Sequence, residues 1–160
     1  MTTPSPAFSV VVPTYERPAS LARCLDALAA QTLDHDRFEV IVVDDGSAEP
    51  PRAVVARAAA SIDVRLVEQA NAGPATARNA GAEASRGRYV VFTDDDCRPD
   101  PEWLSAIDVT AARHPGFHRA IFSVRLTVYN LARRTAPIAS ASVKRSQPGA
   151  RVQRKSRAFA

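Results

Sequence analysis

The sequence predicts an α/β protein with a mostly parallel sheet that is covered by helices on both faces. Four short apolar runs alternate along the chain with longer segments in which apolar residues recur at helical spacing. Strands and helices in this order are typical of β-α-β units, which build parallel sheets. With 160 residues and 46% hydrophobic content, the chain is long enough for one domain with a core of its own.

The first third of the chain predicts two strands and two helices. The apolar run from Phe8 to Val12 forms the first strand, and Pro18 then marks the first turn of a helix. A second apolar run, from Phe38 to Val43, predicts a strand that ends at Asp44. The alanine-rich residues 51–61 indicate the second helix.

The following segments continue the alternation. Val64 to Val67 predicts a weaker strand, and Pro74 to Ala84 predicts a helix that is opened by a Gly-Pro pair. Tyr89 to Phe92 predicts the strand before three consecutive aspartates, and Pro101 to Ala112 predicts a fourth helix. Alternating apolar residues at about 120–129 favour one more strand.

Charge divides the chain into two parts. All 17 acidic residues lie at or before Asp108, whereas 11 of the 21 basic residues follow position 112. We expect residues 1–113 to form the domain and residues 114–160 to be a basic tail that is disordered after the last strand. A solvated tail is the simplest interpretation, and peripheral contact with an anionic membrane is the alternative. We do not expect this tail to bind nucleic acid.

The remaining composition favours the cytoplasm. Cys24 and Cys97 are the two cysteines, with no disulfide framework, and Cys24 lies on the apolar stripe of the first helix. The first basic residue is Arg17, so a signal-peptide n-region is not expected. No apolar stretch approaches 18 residues, so no transmembrane helix is expected. We predict a cytoplasmic protein, with peripheral contact at the inner face of the membrane as the alternative.

Polar clusters follow three of the predicted strands, namely residues 13–15, 44–45 and 94–96. In parallel sheets, ligands bind beyond the carboxyl ends of the strands, so these clusters predict a site. Asp94 and Asp96 are two residues apart, and in an extended chain they would lie on one side, roughly 7 Å from each other. Two such carboxylates suit Mg²⁺ or Mn²⁺. The alternative is an acidic, solvated loop, and Cys97 beside it is not needed by a hard cation.

Four segments between residues 8 and 108 carry a resemblance to a known family. They are VVPTYER at 11–17, VDDGS at 43–47, NAGPATARN at 71–79, and FTDDD at 92–96 with Pro101 after it. In this order and spacing they resemble the nucleotide-sugar-binding half of family 2 glycosyltransferases with the GT-A fold. The resemblance implies a nucleoside-diphosphate sugar as the ligand, with UDP or GDP as its nucleotide.

The resemblance also implies roles for residues that bind the base. Tyr15 would offer its aromatic face to the nucleobase, and Pro13 and Thr14 would contact the base beside it. A tyrosine packed at the end of a strand is the alternative for Tyr15. Asp44 would accept a hydrogen bond from the ring N–H of the base, and Asp45 would hold the following turn.

A second group of implied roles concerns the ribose, the phosphates and the metal. Arg78 would reach the base or the phosphates, Asp94 would hold the ribose hydroxyls, and Asp96 would bind Mn²⁺ or Mg²⁺. Asp94 and Asp96 form the DxD motif with Asp95 in its middle, and both are the expected metal ligands. Glu16, also placed at the nucleotide, stands where the family often has asparagine.

The implied reaction is an inverting displacement in which a carboxylate base deprotonates an acceptor hydroxyl. Asp100 and Glu102 lie just after the metal motif and are not assigned as the base, and no acidic residue follows Asp108. We therefore expect a truncated or frame-disrupted glycosyltransferase that binds its donor but transfers poorly, with the acceptor unassigned. The alternative is a non-catalytic nucleotide-binding or regulatory module whose basic tail docks on anionic lipid or nucleic acid.

Overall fold

The computed structural model describes residues 5–113 and 121–123, and these form an α/β structure with one parallel sheet. The strands are β1 (Phe8–Thr14), β2 (Phe38–Asp44), β3 (Val64–Glu68), β4 (Tyr89–Phe92) and β5 (Ile121–Ser123). The helices are α1 (Pro18–Ala29), α2 (Arg52–Ala58), α3 (Pro74–Ala84) and α4 (Trp103–Ala112), and a 3₁₀ turn spans His35–Arg37. The predicted fold class is confirmed.

The order of the strands creates a crevice between β1 and β4. The order across the sheet is β3-β2-β1-β4-β5, so the chain moves outward from β1 to β3 and then returns to the other side of β1. All four strand pairs are parallel. Connections that leave in opposite directions from neighbouring strands open a gap at their carboxyl ends, which is the usual ligand position in such sheets.

Helices cover both faces of the sheet and bury two cores. The larger core packs α1, α2 and α4 against one face of the sheet. The smaller core packs α3 against the other face, around Val11, Ile41, Val43, Ala77 and Val90. Because both faces are covered, β1 and β2 are buried along their whole length, which explains their continuous apolar runs.

Gly81 allows α3 to lie unusually close to the sheet. A Cβ atom at this position would stand 2.3 Å from Cγ1 of Val11, nearer than any real side chain approaches. The glycine therefore sets the depth of α3 against β1. With α3 packed this close to β1, its first turns, including Arg78, lie at the carboxyl edge of the sheet. There they line the cleft described below.

A buried carboxylate organises the opposite edge of the sheet. Glu39 is fully buried and accepts hydrogen bonds from the Ser9 hydroxyl at 2.6 Å and from the backbone and side chain of Arg86. Burial alone raises the pKa of Glu39, but these hydrogen bonds and the charge of Arg86 bring it below its ordinary value. The network anchors the loop before β4 and lies away from the cleft.

Most predicted element boundaries agree with the structure. The bounds of α3 and β4 are confirmed, whereas β1 and β2 extend to polar residues, Thr14 and Asp44. The predicted strand at 120–129 is described only as Ile121–Ser123; its remainder and the predicted disorder of the basic tail lie outside the described residues. Among the described helices, none is both long and apolar enough to cross a bilayer.

Candidate functional site

A cleft of about 560 Å³ opens at the carboxyl ends of β1 and β4. Four segments of the chain line it: the end of β1 and the turn after it (Pro13, Thr14, Tyr15, Arg17), Asp45 after β2, residues around the start of α3 (Asn71, Gly73, Pro74, Ala77, Arg78), and residues 94–96 after β4. The cleft therefore occupies the crevice that the strand order creates. Eight of the predicted site residues line it: Pro13, Thr14, Tyr15, Asp45, Arg78, Asp94, Asp95 and Asp96.

The two predicted metal ligands lie in a turn rather than in the strand itself. β4 ends at Phe92, and the Cys97 backbone N–H donates to the Asp94 carbonyl at 3.0 Å, which closes the turn. The extended conformation from which a separation of roughly 7 Å was expected is therefore not present at these residues. Ligand atoms of Asp94, Asp96 and Cys97 all lie within 4.8 Å of one another.

This group has the chemistry of a divalent-cation site. The side chains of Asp94 and Asp96 are 51% and 62% exposed, so their oxygens are open to a ligand. Carboxylate oxygens with free positions beside them fit Mg²⁺ or Mn²⁺, which keep water or phosphate as further ligands. Cys97 is buried, and its thiol lies 3.9 Å from an Asp96 oxygen.

Asp95, the middle residue of the motif, is buried and serves the fold. It accepts a hydrogen bond of 2.8 Å from the Thr14 hydroxyl, which connects the end of β1 to the acidic turn. Burial raises the pKa of Asp95 above its ordinary value, and the contacts with Thr14 and Arg17 offset this only in part. Fixing Asp95 inward leaves its two neighbours facing the cleft.

Helix α1 also contacts the acidic turn at residues 94–96. The Cys24 thiol is fully buried and donates to the Asp94 carbonyl at 3.6 Å. Burial, together with the nearby acidic groups, raises the pKa of Cys24 to about 12, so this thiol stays protonated. The prediction that Cys24 is a small buried residue is confirmed, with a hydrogen bond added.

Two arginines that line the cleft contact the acidic turn. Arg78 on α3 lies 2.5 Å from Asp94 through its Nη2 atom. Arg17, which follows β1, lies 3.6 Å from an oxygen of Asp95 and 3.6 Å from an oxygen of Asp96. The cleft thus holds two guanidinium groups beside its carboxylates.

Asp44 holds the turn after β2. Its two carboxylate oxygens accept hydrogen bonds from the Ser47 hydroxyl at 2.5 Å and from the Ser47 backbone N–H at 3.1 Å. Asp44 is 1% exposed and is not among the residues that line the cleft. The task of holding this turn, expected for Asp45, is performed by Asp44.

Asp45 instead holds the loop that precedes α3. It accepts hydrogen bonds of 2.7–2.9 Å from the Gln69 side chain and from the backbone N–H groups of Ala72 and Gly73. Burial alone would raise the pKa of Asp45, but these three donors hold it below its ordinary value. Asp45 also lines the cleft, so of the two aspartates it is the one that a ligand can approach.

Glu16 fixes the turn between Tyr15 and Arg17 rather than lining the cleft. Its φ of 55° is in the left-handed region, which side chains other than asparagine and glycine rarely adopt. Its backbone N–H donates to the Ser47 hydroxyl at 2.8 Å, and its carboxylate accepts from the Ala48 N–H at 2.6 Å. The asparagine expected from the family resemblance would suit this conformation better.

Tyr15 is 48% exposed and lines the cleft. A tyrosine that served the packing of the strand end would be buried, so the exposure disfavours that alternative. Its ring is open to a ligand that enters between β1 and α3.

Asp100, Glu102 and Asp108 are not among the residues that line the cleft. Asp100 accepts a hydrogen bond from the Glu102 backbone at the start of α4, and Asp108 forms two hydrogen bonds of 2.8 Å with Arg37. None of the three is therefore placed to act as the base within this cleft, as expected for Asp100 and Glu102.

Two polar side chains that line the cleft, those of Arg17 and Asn71, had no role in the prediction. Both fall inside segments that carried the family resemblance, so the motif itself was their signal. The Asn71 backbone lies against Gly46 in the turn after β2, since a Cβ at Gly46 would stand only 2.6 Å from the Asn71 nitrogen. Such contacts between distant segments are invisible in the sequence.

Comparison with known proteins agrees with this geometry. The chain is 35% identical to glycosyltransferase AglE of Haloferax volcanii over 106 residues, which are 65% of the chain and 35% of that protein. It is 37% identical to validoxylamine A glucosyltransferase of Streptomyces hygroscopicus subsp. jinggangensis over 113 residues, 69% of the chain and 26% of that protein. The chain thus spans about a third or less of these relatives.

Solved structures show the same relationship. TarS 1-349 of S. aureus in complex with UDP-GlcNAc matches with a TM-score of 0.64 and 30% identity, over 68% of this chain and 32% of that one. Mannosyltransferase PcManGT of Pyrobaculum calidifontis, in complex with GDP-Man and Mn²⁺, matches with a TM-score of 0.56 and 31% identity, over 64% and 33%. The sequence profile described as glycosyl transferase family 2 matches residues 9–151, beyond the segments that carried the resemblance. With this match, the predicted resemblance is confirmed, and the chain belongs to glycosyl transferase family 2.

Proposed function

We propose that the cleft binds a nucleoside-diphosphate sugar together with a divalent cation, and that it provides the donor site for inverting transfer to an acceptor hydroxyl. The observation that carries this proposal is the pair of exposed carboxylates, Asp94 and Asp96, in one cleft with the exposed ring of Tyr15. The solved relatives that hold UDP-GlcNAc or GDP-Man with Mn²⁺ support the class of ligand.

The charges of the cleft favour a bound cation. Four carboxylates and two guanidinium groups line it, which leaves an excess of negative charge. A diphosphate entering this cleft alone would meet like charges within a few ångströms, at a cost of roughly 1–4 kcal/mol for each close pair. A divalent cation at Asp94 and Asp96 offsets that repulsion, and it would stabilise the departing nucleoside diphosphate during the reaction.

The nucleobase is proposed to lie on Tyr15. An exposed aromatic face at the edge of a polar cleft suits stacking, and Pro13 and Thr14 lie directly before it in the wall of the cleft. Asp45 is the proposed acceptor for the ring N–H of the base, in place of Asp44. Its Oδ2 atom accepts only one of the hydrogen bonds described above, so a further donor can approach it.

The ribose and diphosphate are proposed to lie between α3 and the acidic turn. Asp94 would accept from the ribose hydroxyls, and Asp96 would hold the cation that carries the phosphates. Arg78 is already next to Asp94, and its planar fork suits phosphate oxygens. The start of α3 at Pro74 faces the same cleft, where the helix dipole favours an anion.

Transfer also needs a group that deprotonates the acceptor. Asp100, Glu102 and Asp108 do not line the cleft, and no carboxylate follows Asp108 in the 160 residues. General-base assistance contributes roughly 10²–10⁴-fold to such reactions. From the 160-residue chain we therefore expect slow hydrolysis of the donor, with water as the acceptor. We also propose that the basic tail, residues 114–160, contacts an anionic membrane.

The test is the release of nucleoside diphosphate from a panel of UDP-sugars and GDP-sugars, with Mn²⁺ or with EDTA. We expect slow release from a subset of donors that requires Mn²⁺ and is lost in Asp96→Asn. Asp26→Asn is the matched control, because Asp26 is an exposed aspartate paired with Arg57 outside the cleft. Release that EDTA leaves unchanged, or equal loss in both variants, would contradict the proposal.

A further inference from the structure

Arg17 is placed where it can control the acidic turn. One of its terminal nitrogens lies 3.6 Å from Asp95 and 3.6 Å from Asp96, so a single guanidinium group is shared between two carboxylates. The side chain is 60% exposed, and it follows the left-handed residue Glu16 that fixes the direction of this turn. Arg17 thus meets Asp96, the proposed cation ligand, from the solvent side of the cleft.

The contact of Arg17 with Asp96 adds little to the stability of the fold, because the Asp96 side chain is 62% exposed to water and exposed ion pairs contribute little. Asp95 is buried, but it already accepts a hydrogen bond from Thr14. The position of Arg17 therefore calls for an explanation other than support of the turn.

Arg17 and a divalent cation would compete for the negative charge of the Asp96 carboxylate. A cation bound to Asp96 would stand a few ångströms from the guanidinium group, and the two positive charges would repel each other. A diphosphate held beside the cation would in turn offer oxygen acceptors within reach of a side chain that already touches Asp96. Guanidinium groups bind such oxygens through paired hydrogen bonds.

We propose that Arg17 is a resident counter-ion of the acidic turn, which competes with the divalent cation for Asp96 and turns to the diphosphate once the cation is bound. The inference rests on the proposed function and assigns to it a residue that exchanges partners. Arg78 differs, because it donates a hydrogen bond to Asp94, whereas both contacts of Arg17 are 3.6 Å long.

If Arg17 exchanges partners in this way, its removal should change the affinities for Mn²⁺ and for nucleotide in opposite directions. Removing Arg17 takes away a competitor, so the free protein should bind Mn²⁺ about two- to fivefold more tightly, the range of an exposed ion pair. The same change removes a phosphate ligand, so UDP or GDP at saturating Mn²⁺ should bind about tenfold more weakly. A residue that only supports the turn would weaken both.

The experiment measures Mn²⁺ binding by electron paramagnetic resonance without nucleotide, and then UDP and GDP binding by calorimetry at saturating Mn²⁺. The variants are Arg17→Ala and Arg17→Lys, where lysine keeps the charge and should stay close to wild type for Mn²⁺. Arg57→Ala is the control for the lost charge, because Arg57 is 64% exposed and pairs with Asp26 away from the cleft. Urea unfolding checks that each variant is folded.

Tighter Mn²⁺ binding with weaker nucleotide binding in Arg17→Ala alone supports the exchange. Parallel changes of the two affinities, no change, or the same changes in Arg57→Ala overturn it while leaving the proposed function in place. If wild type binds neither Mn²⁺ nor nucleotide, the proposed function itself fails, and the exchange fails with it.

Discussion

The hydroxyl of Thr14 donates a hydrogen bond of 2.8 Å to Asp95 and so joins the end of β1 to the acidic turn that follows β4. This contact spans the crevice between the two strands and keeps Asp95 buried, while Asp94 and Asp96 on either side remain exposed. One buried aspartate therefore orients two exposed ones.

Asp95→Asn should make the protein more stable at pH 7. Because burial raises its pKa, folded Asp95 binds its proton more readily than the unfolded chain does. The contribution of Asp95 to stability is thus complete below the ordinary value of 3.8 and is lost as pH rises through the folded-state pKa. Asparagine does not ionise, so this stability is not lost as pH rises, and its side-chain oxygen can still accept the hydrogen bond from the Thr14 hydroxyl. Urea unfolding at pH 7 and pH 3 measures the difference, which should be larger at pH 7. A variant less stable than wild type at pH 7 would contradict the prediction.

Asp45→Asn should have the opposite effect. The pKa of Asp45 is lowered, so its contribution is present above 3.8 and is lost as pH falls through the folded-state pKa. Asparagine would place an N–H group against one of the N–H donors of the loop, at a cost of about 1–3 kcal/mol at pH 7. Urea unfolding of Asp45→Asn at pH 7 and pH 3 measures this loss of stability. A loss that is as large at pH 3 as at pH 7 would contradict the prediction.

Tyr15→Ala should weaken UDP or GDP binding by about 1–3 kcal/mol, the range of aromatic stacking on a base. The side chain is 48% exposed, so the melting temperature should hardly change. Calorimetry and thermal unfolding give the two quantities, and Tyr15→Phe, which keeps the ring, is the control. A lower melting temperature with unchanged affinity would assign the ring to packing.

Glu16→Gly should be more stable than Glu16→Ala by about 1 kcal/mol. Both variants lose the hydrogen bond to Ala48, but glycine adopts a φ of 55° without strain and alanine does not. At ordinary positions alanine is the more stable of the two, so the order is diagnostic. Denaturant unfolding of the pair decides, and a more stable alanine variant would show that the turn is not strained.

The regular elements of this fold are readable from the sequence because their signals are local. Gly73 and Pro74 mark the start of α3, and the apolar run of β4 stops at the first aspartate, so both elements are predicted within their bounds. Thr14 and Asp44 extend β1 and β2 because parallel pairing, which a polar residue can share, decides the end of a strand.

The roles within the site depend on contacts between distant segments. Asp44 and Asp45 are adjacent and identical in type, yet one accepts from Ser47 and the other from residues 69–73. The burial of Asp95 depends on Thr14, 81 positions earlier. The motif predicts which residues meet at the cleft, but tertiary packing decides which of them remain free for a ligand.

The most direct measurement is calorimetric titration of the 160-residue chain with UDP and with GDP, each in the presence of Mn²⁺ and in the presence of EDTA. The excess of negative charge in the cleft and the two exposed carboxylates predict that at least one nucleotide binds with Mn²⁺, that EDTA abolishes this binding, and that Asp96→Asn weakens it strongly. Equal affinity with Mn²⁺ and with EDTA would contradict a cation at Asp94 and Asp96 and, with it, the proposed donor site.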